Sequence, residues 1–300
     1  MRTARMARGV RRIGALVVGV AMVGLTAGIA GAASGPSLTV GSQNFSGAQL
    51  LSQVWGQALK AKGYNITFKD SVGPREVVFP AVKNGQLDAE GDFQGTLLTF
   101  LGGTPTTNSA STYKALVAQL AGTGLVASAP APAVDVNGFF VMKKTATKYK
   151  LKTVSDLVKV APKLSFGGPQ ECQVRPLCLG PKEQQVYGLN FKDVKKLDTG
   201  GPITVSSLTN GDIDVALLFT GESVPKGAVL LADNKNLQPS DNPVLVIRKD
   251  KATSKVLKIV DAVSAKITTQ ALSDMVSQVE VQKQDPATVA AAFLKKNKLA

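Results

Sequence analysis

The stretch NGQLDAEGDFQG, residues 84–95, decides the fold, because its pattern returns 126 residues later as NGDIDVALLFTG, residues 210–221. In each copy an apolar segment with helical spacing runs into Asn-Gly, which favours a helix end, and a short strand then leads to a phenylalanine. Open α/β sheets bind ligands at the carboxyl ends of their strands. Two facing units therefore predict a cleft with Phe93 on one wall and Phe219 on the other, although helix, glycine and strand also recur by chance.

Strands and helices alternate around both copies at the spacing of βαβ units. Before the first copy, the pattern predicts a strand at 38–40, a helix at 46–60 and a strand at 66–68. A similar series restarts at residue 139, and after residue 250 the apolar spacing is helical to the end of the chain. The order predicts one lobe, a second lobe and a return to the first.

Residues 1–33 have the composition of an export signal. Five arginines precede an apolar stretch from Ile13 to Ile29, and Ala30-Gly31-Ala32 is a small-residue cleavage site. An uncleaved membrane anchor is the alternative, but glycines interrupt a stretch that is short for a span. The segment holds no cysteine for lipid attachment, so we expect a protein exported to the periplasm or the outer face of the membrane.

The predicted mature chain is basic, with 30 basic against 21 acidic residues once the five signal arginines are removed. Its lysines are scattered and lack the interleaved aromatics of a nucleic-acid stacking platform, so no nucleic-acid partner is expected. The same charge leaves open a different class of function, a basic cell-surface interaction protein.

Several chemistries are excluded by residue content. The chain has no histidine and two cysteines, Cys172 and Cys178, so a zinc site with four Cys or His ligands is impossible, and neither a metal nor a cofactor is expected. In an oxidising compartment the two cysteines are best interpreted as a local disulfide, since a redox-active pair would favour C-x-x-C spacing. Without histidine, a G-x-S-x-G elbow or opposed carboxylates, no enzyme is expected.

The mature chain resembles the solute-binding proteins of osmoprotectant ABC transporters, which take up glycine betaine, choline, carnitine and related compounds. The resemblance covers nearly all of the chain after the signal. Its most specific segments are GSQNF (41–45), GPREVVFPA (73–81), DFQGT (92–96), DVNG (135–138), GPQEC (168–172), Arg175-Pro176 and DIDVALLF (212–219).

The resemblance implies an α/β, two-lobed periplasmic-binding-protein-like fold of type II, with the ligand cleft between the lobes. It implies lobe 1 at 34–134, lobe 2 at 135–232 and a return to lobe 1 at 233–300. The expected function is to bind a small zwitterionic or quaternary-ammonium osmolyte and to deliver it, as a monomer, to an ABC permease with its ATPase. The same fold binding a more polar or planar solute is the alternative.

The resemblance also assigns ligand-binding positions. Phe93 and Phe219 take aromatic cage positions, Asp135 presents an acid toward the cation, and Arg175 binds a carboxylate. The remaining assigned positions are Gln43, Thr96, Asn137 and Asn242, the last two where better-known members have tyrosines.

Each assignment has a plainer structural alternative. The two phenylalanines are equally compatible with a core at strand ends, and Thr96 with a helix cap. Asp135 and Asn137 suit a turn, and Arg175 could stabilise its loop through Glu171 or Asp198. If Arg175 does bind a carboxylate, betaine-type solutes are expected to bind more tightly than choline.

Overall fold

A computed structural model describes residues 35–180, 186–221 and 224–300. The predicted export signal at 1–33 lies outside the described residues. Ten strands form two sheets of five. The strands are β1 (Ser37–Gln43), β2 (Asn65–Gly73), β3 (Ala89–Phe93), β4 (Leu125–Ala127), β5 (Asn137–Met142), β6 (Ser165–Gly168), β7 (Asp193–Lys196), β8 (Val215–Phe219), β9 (Ala228–Leu230) and β10 (Pro243–Arg248).

The two sheets have the same order of strands. The first runs β2-β1-β3-β10-β4 and the second β7-β6-β8-β5-β9. In each, three parallel strands are followed by one antiparallel strand that arrives from the other lobe, β10 in the first sheet and β5 in the second. This order confirms the predicted α/β, two-lobed fold with its return to the first lobe.

Ten α-helices cover the sheets in the described ranges. They are α1 (Ser46–Ala61), α2 (Arg75–Lys83), α3 (Gln94–Phe100), α4 (Ser109–Leu120), α5 (Lys143–Tyr149), α6 (Val154–Val158), α7 (Pro202–Asn210), α8 (Ser254–Ser264), α9 (Thr269–Glu280) and α10 (Pro286–Lys296). Short 3-10 turns lie at Ala161–Lys163 and Gln170–Gln173. Among these helices none is long and apolar enough to cross a bilayer.

The sequence repeat has equivalent hydrogen bonds in both lobes. Asp88 accepts a bond from the backbone N–H of Thr39 at 2.8 Å, and Asp214 accepts one from that of Ser165 at 2.9 Å. Each aspartate thus ties the start of its strand, β3 or β8, to the parallel neighbour. The aspartate in the repeat is therefore conserved between the copies for a structural reason, and the repeat is not a chance match.

Each lobe has its own apolar core. In the first lobe, α1, α8, α9 and α10 pack on one face of the sheet around the fully buried Trp55, and α2, α3 and α4 cover the other face. In the second lobe the larger core surrounds Phe166 and includes both cysteines and Leu237. The lobe boundaries at 134/135 and 232/233 stay a prediction.

Candidate functional site

One cavity lies between the lobes. It is bordered by the carboxyl ends of β1, β3 and β8 and by the loop after β6. Its volume is about 260 Å³, just below the roughly 300 to 1,000 Å³ of pockets for drug-sized ligands. The size suits a small solute. The predicted residues that line it are Gln43, Phe93, Thr96, Asp135, Asn137, Arg175 and Phe219.

Four phenylalanines border the cavity, two more than predicted, and all of them except Phe100 form a stack. The ring of Phe45, which follows β1, stacks on Phe93 at a centroid distance of 6.0 Å and on Phe219 at 5.4 Å. Phe93 belongs to the first lobe and Phe219 to the second, so the stack joins both walls of the cleft. Aromatic faces attract cations that lie within about 6 Å of a ring centroid.

A buried ion pair forms the floor of the cavity on the first lobe. Asp92 accepts two hydrogen bonds from Arg75 Nε, at 3.0 and 2.9 Å, and one from Nη2 at 2.6 Å. The same Nη2 donates to Thr96 Oγ1 at 2.7 Å, and Gln43 Nε2 donates to Asp92 Oδ1 at 3.1 Å. Thr96 and Gln43 are therefore fixed by Arg75 and Asp92.

Charge and burial compete at this pair. Burial opposes the charge of Arg75, but Asp92 outweighs it and raises the pKa of the guanidinium, which stays a cation. On the same strand Glu90 is fully buried, and neither of its carboxyl oxygens has a partner among the described residues. Burial, assisted by Asp92 and opposed by Arg75, raises the pKa of Glu90 well above its ordinary value and so favours its neutral form.

Two aspartates in the connections between the lobes bind the two glycines that end the repeat. The N–H of Gly95 donates to Asp241 Oδ1, and the N–H of Gly221 donates to Asp135 Oδ1, both at 2.7 Å. Asp135 also donates its backbone N–H to the carbonyl of Asp241 at 3.1 Å. The connections are thus joined to each other and to both cavity walls.

Asp135 offers the cavity one carboxylate oxygen without a hydrogen-bond partner among the described residues. This oxygen, Oδ2, is buried. Burial raises the pKa of Asp135 to about 7, opposed by the hydrogen bond from Gly221 and assisted by the charges of Asp241 and Glu280. Burial also raises the pKa of Asp241 to about 6, against the effect of Arg75 and the N–H donors of Thr96 and Gly95.

Arg175 pairs across the cleft with a residue that the sequence did not single out. Its Nε donates to Glu76 Oε1 at 3.0 Å and its Nη2 to Glu76 Oε2 at 2.7 Å. Of the expected alternatives, Glu171 accepts only the backbone N–H of Arg175, at its carbonyl, and among the described contacts the guanidinium pairs with neither the Glu171 nor the Asp198 side chain. Burial acts to raise the pKa of Glu76, but the hydrogen bond and charge of Arg175 outweigh burial and lower it, so Glu76 is ionised.

The loop that carries Arg175 is closed by a disulfide between Cys172 and Cys178, as predicted. Both cysteines are buried in the core of the second lobe, and both border the cavity. The backbone N–H groups of Leu179 and Gly180 donate to the carbonyl of Cys172 at 3.1 and 3.3 Å. The disulfide and these bonds fix the loop on the wall of the cavity.

The two predicted asparagines differ in position. Asn137 borders the cavity, and its Nδ2 donates to the carbonyl of Leu177 at 3.2 Å. Asn242, also assigned to the ligand, does not border the cavity. Asn242 is buried beside the cavity, where it donates to the carbonyls of Ala131 and Ala133 at 3.0 and 2.8 Å.

Asn242 also accepts hydrogen bonds from Gln94 Nε2 and Ser240 Oγ, so its amide holds the return connection against the first lobe. Among the aromatic and charged residues of the site, five escaped the sequence assignment: Phe45, Arg75, Glu76, Phe100 and Asp241. Phe45 lies in the GSQNF segment, and Arg75 and Glu76 lie in GPREVVFPA. Their position in segments that carry the family resemblance was the signal that could have identified them.

The cavity thus combines aromatic faces with carboxylates, and its two cations, Arg75 and Arg175, each have a carboxylate partner. The described residues contain no cluster of three or more Cys, Asp or Glu side chains that could hold a metal ion. Such a site can hold a small organic cation by ring faces and negative charge.

Comparisons with known proteins give a consistent result. A family described as "Substrate binding domain of ABC-type glycine betaine transport system" matches residues 36–296. A glycine-betaine-binding protein from Pseudomonas aeruginosa is 25% identical over 286 residues, which cover 90% of this chain and 91% of that protein.

Two solved structures share the fold. One, of a glycine betaine/carnitine/choline ABC transporter, has a TM-score of 0.67 at 22% identity and covers 87% of this chain and 99% of its own. The other is a choline-binding protein of an ABC transporter in complex with choline, with a TM-score of 0.65 at 16% identity over 87% of this chain and 89% of its own.

Proposed function

The chain belongs to the family of substrate-binding domains of ABC-type glycine betaine transport systems, and on this premise we propose that its cavity binds a small quaternary ammonium osmolyte. The class comprises glycine betaine, choline and carnitine. A quaternary ammonium donates no N–H hydrogen bond, so it is held by aromatic faces and by negative charge. The cavity offers both.

One observation carries the proposal: the Oδ2 of Asp135, unpartnered among the described residues, is buried at a cavity that a stack of three phenylalanines borders. A buried carboxylate without a partner is costly, so its pKa rises unless a cation compensates it. A bound ammonium supplies that charge. In this role Phe45, Phe93 and Phe219 provide the faces and Asp135 the counter-charge.

The arrangement of the lobes supports delivery of the solute. Phe45 meets Phe219, and Glu76 meets Arg175, across the cleft, so the walls approach each other in pairs that a hinge motion would separate. We propose that the protein closes on its solute as a monomer, outside the cytoplasm, and presents it to the transmembrane permease and ATPase of an ABC importer. The family's role in transport supports these partners.

Thermal unfolding with a panel of solutes tests the proposal. Glycine betaine, choline, carnitine, proline betaine and ectoine are each added at rising concentration to the purified mature protein. A solute at 100 times its dissociation constant should stabilise the protein by about 2.7 kcal/mol. Absence of stabilisation by all four quaternary ammonium compounds of the panel would overturn the assignment, and stabilisation by ectoine alone would point to a different class of solute.

A further inference from the structure

The ion pair between Glu76 and Arg175 closes the cavity from two different lobes. Glu76 lies in the first turn of α2, and Arg175 lies in the disulfide loop after β6. Both residues line the cavity, and both carboxylate oxygens of Glu76 accept bonds from the guanidinium. Bidentate pairing is also the way in which an arginine binds the carboxylate of a small solute.

Two cationic side chains border the cavity in the described part of the chain, and each is paired with a carboxylate. Arg75 and Arg175 are the cationic residues that border it. Arg75 donates three hydrogen bonds to Asp92, and the negative charges of Asp241 and Glu90 also help to raise the pKa of its guanidinium. A solute carboxylate therefore finds its best partner in Arg175, at the place that Glu76 occupies.

We propose that Glu76 is a specificity-determining residue, an internal carboxylate that competes with the carboxylate of a solute for Arg175. This inference rests on the proposed function. A zwitterion such as glycine betaine must displace Glu76 from Arg175 or leave its own carboxylate poorly paired. Choline has a hydroxyl in place of the carboxylate and leaves the ion pair intact.

The same pair also links the lobes, so its loss changes closure for every solute. A ratio of affinities removes this common effect, because closure contributes equally to two solutes of similar size. Glycine betaine and choline form such a pair, since they share the trimethylammonium group and differ in the carboxylate. The informative quantity is therefore the ratio of their dissociation constants.

Calorimetric titration of both solutes into the wild-type protein, Glu76→Gln and Glu76→Ala tests the inference. Each variant should raise the affinity for glycine betaine relative to choline by about tenfold or more, as expected when a charged partner is released at a desolvated site. Arg175→Ala in the Glu76→Gln background should abolish that gain.

Asp250→Asn is the matched control, because it breaks a bidentate pair with Arg248 at 3.0 and 2.8 Å outside the cavity, and it should leave the ratio unchanged. An unchanged ratio in both Glu76 variants would overturn the inference and leave the proposed function standing. If neither solute bound the wild-type protein, the proposed function would fail, and this inference with it.

Discussion

Asp135 receives the backbone N–H of Gly221 at 2.7 Å on one carboxylate oxygen, and its other oxygen has no partner in the described part of the protein. The bond joins the first connection between the lobes to the glycine that ends the second repeat. A side chain at Gly221 would not fit, because an added Cβ would lie 2.9 Å from Asp135 Oδ1. The repeat's final glycine thus leaves room for the carboxylate that we assign to the ammonium.

The first prediction concerns pH. Since burial raises the pKa of Asp135 to about 7, the affinity for a quaternary ammonium should fall as pH falls through 7, approaching about tenfold per unit at lower pH. Asp241, with a pKa of about 6, adds to the effect, and Glu280 also faces Asp135. Calorimetry from pH 8 to pH 5 measures the slope, and Asp135→Asn should flatten most of it.

In the absence of solute, the contribution of Asp135 to the stability of the fold should depend on pH in the opposite direction to the affinity for solute. The folded-state pKa of Asp135 lies above the ordinary value of 3.8, so the folded protein binds more protons between these values. The contribution of this group to stability is therefore lost as pH rises from about 4 through about 7. Urea unfolding of wild type and Asp135→Asn across this range checks the sign. A steeper loss in the variant would contradict the assigned shift.

The second prediction concerns Phe45. Phe45→Leu removes the ring that stacks on both Phe93 and Phe219 but keeps an apolar side chain. It should weaken binding of both choline and glycine betaine by about 0.5 to 2 kcal/mol through lost cation-π attraction. Phe191→Leu is the control, since Phe191 packs against Phe166 at a ring-centroid distance of 5.1 Å in the second core, outside the cavity. Equal losses in the two variants would argue against a cage.

The third prediction concerns the contact between Gly221 and Asp135. Gly221→Ala should weaken ammonium binding, because the new methyl would displace the carboxylate of Asp135. In a double-mutant cycle with Asp135→Ala, the second substitution should add little to the first. Fully additive losses in titrations of the two single variants and the double variant would show that the glycine acts in some other way.

The fourth prediction compares two buried acids on one strand. Asp92→Asn should destabilise the protein by about 3 kcal/mol or more, because it leaves the buried Arg75 without its charged partner. Glu90→Gln should cost less, about 1 kcal/mol or below, because burial raises the pKa of Glu90 and favours its neutral form, which the amide resembles. Urea unfolding at pH 7 measures both, and a larger cost for Glu90→Gln would show that Glu90 is charged.

The fifth prediction concerns the disulfide. Replacing Cys172 and Cys178 by serine should cost only about 2 kcal/mol of stability, since the bond closes a short loop. The larger effect should be on solute affinity, because the loop bears Arg175 and borders the cavity. Unfolding and titration of the double variant measure the two effects. Unchanged affinity would mean that the loop is ordered without the bond.

The sequence predicted the fold well because its signals are local. The repeat, the strand-helix alternation and the phenylalanines at the strand ends depend on residues close along the chain, and both sheets followed. The predicted helical region after residue 250 divides into α8, α9 and α10, each begun by a side-chain cap from Thr253, Thr268 or Asp285.

The site was predicted only in part, because several of its contacts join residues that are far apart along the chain. Glu76 meets Arg175 across 99 positions of sequence, and no local pattern indicates such a pair. Asn242 lies in the return connection between the lobes. Its amide donates to the carbonyls of Ala131 and Ala133, which are more than 100 positions away in the sequence, and no local pattern indicates these bonds. Phe45 is adjacent to a motif, but its contact with Phe219 exists only once the lobes face each other.

The most direct test of the central claim compares the quaternary ammonium that binds most tightly with its uncharged isostere, in which the nitrogen is replaced by carbon. Shape and apolar surface are nearly the same, so the difference reports the positive charge alone. If the phenylalanines and Asp135 recognise the cation, titration should show the isostere binding at least about tenfold more weakly, a gap that narrows in Asp135→Asn. Equal affinity of the protein for the two compounds would contradict the account.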